Sequence, residues 1–92
     1  MGKYSINKIP SDYQELLPAR LKFWRKKAGY TQQDLASRSM VSLGSLKRFE
    51  QDGEISLMSF LRLLHVLGKL DDMNAVLAFD EHLDAVAKRF IK

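Results

Sequence analysis

Between Thr31 and Gly53 the chain writes two short helices almost end to end, and this spacing constrains the fold of the 92 residues more than any other feature. Thr31 followed three residues later by Asp34 is the T-x-x-D form of a capping box. It predicts a helix over about 32–39 with Leu35 and Ala36 buried. The tight Ser39-Met40-Val41 connection joins the end of this helix to the next N-cap candidate, Ser42. A second helix, from Leu43 to about Gln51, puts Leu46, Phe49 and Glu50 on one side and Gly44, Lys47, Arg48 and Gln51 on the other. Asp52-Gly53 ends it.

The flanking sequence supplies more helices. Leu21, Trp24 and Ala28 recur at helical spacing behind Pro18, which suits a first turn, so helix 1 is expected at roughly 18–28. Residues 11–17 are open to a preceding turn capped by Ser11. Ser56 caps a fourth helix whose stripe is Leu57, Phe60, Leu61, Leu64 and Leu67, with Gly68 at its C-terminal end. Asp71 or Asp72 can cap a fifth helix bearing Leu70, Met73, Val76 and Leu77, and Asp80 a sixth bearing Leu83, Val86, Ala87 and Phe90. Strand-like alternation, internal repeats and low-complexity tracts are all missing from the pattern. The fold class is therefore all-α, a compact domain of five or six helices. It divides into an N-terminal arm over 1–10, a core domain over 11–69 and a C-terminal helical extension over 70–92.

Composition narrows the function. A chain that is 46% hydrophobic and 28% charged folds, and at this length it holds one core. The formal charge is +4, and it is uneven: seven basic and two acidic residues over 1–30, five and four over 31–70, three and five over 71–92. A basic balance favours polyanionic partners. Without Cys there is no disulfide framework, thiolate nucleophile or cysteine metal site, and a reducing cytoplasm is the expected compartment. No membrane span or secretion signal is legible. Nor does anything resemble an active site: there is no glycine-rich phosphate loop, and the two His residues have no partners. No enzyme and no cofactor are expected.

Two short helices with a tight connection, the second polar and basic on its outer face, match the helix-turn-helix arrangement in which the second helix enters a DNA major groove. The run GYTQQDLASRSMVSLGSLKRFEQDGEIS, residues 29–56, resembles the Cro/CI-type helix-turn-helix family, also called XRE-like, the family of lambda-repressor-like domains. The matching positions are Arg25, Gly29, Thr31-Gln32, Leu35-Ala36, Val41-Ser42, Glu50, Gly53, Ser56 and Leu67-Gly68. The resemblance implies that Gln32 clamps the DNA backbone, and that Ser42, Leu43, Gly44, Ser45, Lys47, Arg48 and Gln51 face the groove. Arg48 is the strongest candidate for base readout, because its planar fork can bond O6 and N7 of guanine together. Arg25 and Glu50 match the family's structural ion pair, and both project from apolar stripes where a lone charge would be costly.

Three positions depart from the family pattern. Leu43 and Gly44 stand where Gln or a similar hydrogen bonder is common; Leu43 suits a thymine methyl, and Gly44 lets the backbone approach closely. Met40 replaces the usual turn Gly, which costs roughly 1 kcal/mol if the backbone there is left-handed and Met40 does not pack.

Simpler readings compete elsewhere. Lys22, Lys26 and Lys27 could bind phosphate, but charge runs of this kind are more often merely solvated. Trp24 reads as packing, and Phe23 needs a cover that the arm could supply. His65 lies amid Leu and Val with no second ligand at helical spacing. Asp80, Glu81 and His82 diverge around a helix and read as capping and solvation. Leu83, Val86, Ala87 and Phe90 either finish the monomer core or form a dimer interface; groove-reading helices usually work in pairs, which favours dimerisation.

Two functions follow. One is a sequence-specific transcriptional regulator, a repressor binding an inverted-repeat operator on double-stranded DNA as a homodimer. Within the family the sequence looks closest to HipB-like regulators, which accompany HipA-type kinase toxins as antitoxin and autorepressor. The alternative is a protein-interaction module that neutralises a toxin partner, with DNA binding secondary.

Overall fold

The computed structural model describes residues 8–80, and their regular elements are α1 (Pro10–Lys27), α2 (Gln32–Ser39), α3 (Leu43–Asp52), α4 (Leu57–Val66) and a 3₁₀ helix over Leu70–Ala75. The all-helical expectation holds, with five helices and no strand among the described residues. α1 packs on α3, α2 packs on both α3 and α4, and the 3₁₀ helix packs on α4. The 1–7 part of the arm lies outside the described residues, as do residues 81–92 with Leu83, Val86, Ala87 and Phe90.

α1 is longer than the sequence suggested. It starts at Pro10 rather than near Pro18, and Ser11 lies inside its first turn instead of capping it. Pro10 sits where its missing N–H is no loss, and the Asp12 carboxylate accepts the Ile9 N–H at 2.8 Å. Pro18 is an interior residue, buried on the face toward the core with Leu21 and Arg25. Having no N–H, it leaves the Gln14 carbonyl without its usual helical donor. Gly53 lies against that same carbonyl: a Cβ on Gly53 would overlap the Gln14 carbonyl oxygen. The end of α3 therefore meets α1 backbone to backbone, and only glycine fits, with φ at 78°.

The core is built from one or two residues per element: Leu21 of α1, Leu35 and Ala36 of α2, Val41 of the turn, Leu46 and Phe49 of α3, and Leu63 of α4. Leu35, Leu46 and Leu63 are fully enclosed. α4 is phased differently from the expected stripe. Leu57 is 66% exposed, while Leu63, absent from that stripe, is the residue at its centre. Phe60, Leu64 and Leu67 pack on the core from its edge, Phe60 meeting Phe49 at 5.5 Å between ring centres. Ala28 is exposed and ends α1 without joining the core.

The expected fifth α-helix is a short 3₁₀ helix that stops at Ala75. Val76 and Leu77 do not extend an apolar stripe; Leu77 turns left-handed (φ 59°) and is 93% exposed. Among the described residues no helix is long and apolar enough to cross a membrane.

Candidate nucleic-acid interface

The first turn of α2 is held by two reciprocal hydrogen bonds. The Asp34 N–H donates to Thr31 Oγ1 at 3.0 Å, and the Thr31 N–H donates to the Asp34 carboxylate at 3.0 Å. The Thr31 backbone bond and then the Thr31 side chain hold the Asp34 carboxyl below the ordinary aspartate value; desolvation opposes them, and Arg38 nearby adds a lesser push downward. Carboxylate and helix dipole are also matched in sign here.

The turn from α2 to α3 is tight because each residue in it has a place. Ser39 is buried, and its hydroxyl donates back to the Leu35 carbonyl at 2.7 Å. Met40 takes the left-handed conformation, φ 60° and ψ 32°, and its side chain is 82% exposed. The cost foreseen for a non-glycine residue is thus present, and no packing within the described chain offsets it. Val41 is buried and anchors the turn, after which Ser42 caps α3 by accepting the Ser45 N–H at 3.1 Å. The two serine hydroxyls lie 2.8 Å apart.

Beneath this pair of helices sits a buried clamp. Arg25 donates to Glu50 through Nε at 2.7 Å and Nη2 at 3.0 Å, and through Nη1 to the Tyr30 carbonyl at 2.9 Å. The side chains are 8% and 7% exposed. The expected pairing of Arg25 with Glu50 is therefore made, and in the bidentate geometry that fixes orientation as well as distance. A third donor joins it: the Gln32 amide donates to Glu50 Oε1 at 3.0 Å. One carboxylate ties α1, the start of α2 and the end of α3 together.

The outward faces follow from that arrangement. Ser42, Gly44, Lys47, Arg48 and Gln51 are exposed, and Ser45 is half-buried. Leu43 is half-buried and packs against the core, so only part of it is left for an apolar contact. Gln32 is half-buried, and one N–H of its amide is used by Glu50; an amide carries two, so that bond leaves the other for a further acceptor. The Gln32–Glu50 bond had no signature in one dimension, since the two lie 18 residues apart.

The remaining candidates lie on other elements, although Lys22 of α1 lines one cleft with Gln51 of α3. Lys22, Lys26 and Lys27 are exposed on α1. Trp24 is half-buried with the Lys69 ammonium 3.5 Å from its ring centre, a cation–π pairing the sequence did not disclose. Phe23 is 57% exposed and meets Trp24 edge-on at 5.1 Å. His65 is exposed, and among the described residues no group of His, Cys, Asp and Glu is placed to hold a metal ion. Glu81 and His82 lie outside the described residues.

The helix-turn-helix family model matches residues 21–72, more than half of the chain, and the chain belongs to that family, of the Cro/CI or XRE type. No curated protein and no solved structure matches it. The family consists of DNA-binding regulatory domains rather than enzymes, and the chain is accordingly a DNA-binding transcription regulator.

Proposed function

We propose that this regulator is a cytoplasmic repressor that binds an inverted-repeat operator as a homodimer, with α3 lying in the major groove of each half-site. The observation that carries this reading is the exposed row Gly44, Lys47, Arg48 and Gln51 on a helix whose opposite face is fixed by Leu46, Phe49 and Glu50. A flexible cationic segment would bind any duplex, whereas one held by a buried ion pair can hold donors at fixed positions against base edges. In this reading Gln32 and the first turn of α2 contact the backbone, Arg48 reads guanine, and the 70–92 extension pairs two copies about one helical turn, ~34 Å, apart. Selecting duplexes from a random library tests it. A repressor of this design enriches a palindromic sequence, and sedimentation shows a dimer at tens of micromolar; an unpaired half-site bound by a monomer contradicts the symmetric part.

One observation favours a protein partner as well. An apolar cleft of about 480 Å³ is lined by Tyr13, Leu17, Trp24, Phe60, Leu64 and Met73 among others, and no residue of α2 or α3 contributes to it. A surface of this kind, away from the groove-facing helix, suits a HipA-type kinase toxin bound while the operator is occupied. Co-expression with the neighbouring gene checks this: the antitoxin reading requires a stable complex that still binds DNA.

A further inference from the structure

Every described glycine but one has a reason within the protein. Gly29, Gly53 and Gly68 have φ values of 82°, 78° and 73°, which other residues adopt only under strain. Gly53 is also pressed against the backbone of Gln14. Gly44 has neither reason. It lies in the first turn of α3 with right-handed backbone, it is exposed, and a Cβ built on it would find no atom within 4 Å. Alanine would fit there without strain and would lose less chain entropy on folding. Three and four residues further on, the same face carries Lys47 and Arg48, so the bare position stands one turn before two long cations.

We propose that Gly44 is a specificity-determining position: the duplex occupies the space a side chain would fill, and this close approach lets Ser45, Lys47 and Arg48 reach base edges. The inference rests on α3 being the helix that contacts DNA, and it goes further by assigning a role to a residue with no functional group. A methyl at position 44 would hold α3 away from the groove floor. Contacts to bases would then lengthen, while contacts to phosphates, which tolerate small displacements of long side chains, would largely persist.

The test compares wild type with Gly44→Ala on two probes at one salt concentration: a duplex selected by the wild-type chain from a random library, and an unrelated duplex. The expected result is a Tm raised by roughly 2–6 °C together with affinity for the selected duplex lowered about ten-fold or more, and affinity for the unrelated duplex changed by less than about two-fold. Unchanged or improved affinity for the selected duplex in the stabilised variant overturns the proposal. So does a lowered Tm, because the position would then not be open. A wild-type chain that retains no duplex removes the reading of α3 itself, an outcome distinct from either of these.

Discussion

The Arg25 guanidinium holds the Glu50 carboxylate by two parallel hydrogen bonds, at 2.7 and 3.0 Å, joining the last turn of α1 to the end of α3 across 25 residues of sequence. Both side chains are almost fully out of water, so neither can lose its partner cheaply. Glu50→Ala leaves the Arg25 charge buried and frees the Gln32 amide, and is expected to cost about 3–5 kcal/mol in urea unfolding. Replacing both partners, Arg25→Met with Glu50→Leu, should recover much of that loss. Equal stability of Glu50→Ala and wild type would show that the clamp contributes nothing.

Gly53 and Gly29 share a left-handed backbone but differ in surroundings, which makes them a controlled pair. Gly29→Ala meets open space and should cost only the conformational penalty, about 1 kcal/mol. Gly53→Ala adds a collision with the Gln14 backbone, which cannot swing aside as a side chain can, so its loss should exceed that of Gly29→Ala by at least about 1 kcal/mol. Chemical denaturation of the two variants settles the order.

Met40 runs the other way. Its left-handed backbone is strained and its side chain is in solvent, so Met40→Gly should stabilise the domain by about 0.5 kcal/mol, the relief of strain less the entropy of a more flexible unfolded chain. A fall in Tm would mean that the exposed methionine makes a contact worth more than the strain.

These positions also show what one dimension could and could not tell. The N-caps Thr31, Ser42 and Ser56 were legible because capping is local: the side chain and the N–H it serves lie within three residues, and α2, α3 and α4 start where those residues predict. The partnership of Arg25 and Glu50 came from matched family positions and from the cost of lone charges on apolar faces. The phase of α4 was not legible, since LMSFLRLLHV is apolar at most positions and supports more than one stripe; only packing against α2 selects Leu63 over Leu57. The start of α1 was not legible because Pro suits a helix's first turn, whereas Pro18 lies in the interior of this helix. Gln32 was assigned to DNA, but its bond to Glu50 depends on tertiary geometry.

Acid should loosen the start of α2. The Thr31 amide and hydroxyl lower the Asp34 pKa in the folded state, so its stabilisation is fully present above the ordinary aspartate value of the unfolded chain and is lost as pH falls through the lower folded value. Asp34→Ala should therefore be less stable than wild type at pH 7, with the gap narrowing toward pH 3. A gap that widens in acid would contradict the assignment.

The central claim is that α3 reads sequence while α2 grips the backbone, and one set of affinities tests it. Arg48→Ala and Gln32→Ala are titrated against a duplex selected by the wild-type chain and against an unrelated duplex at fixed salt. Arg48→Ala is expected to lose about 1–3 kcal/mol on the selected duplex and little on the other, whereas Gln32→Ala weakens both alike. Equal losses on both duplexes for Arg48→Ala, or none on either, would contradict it.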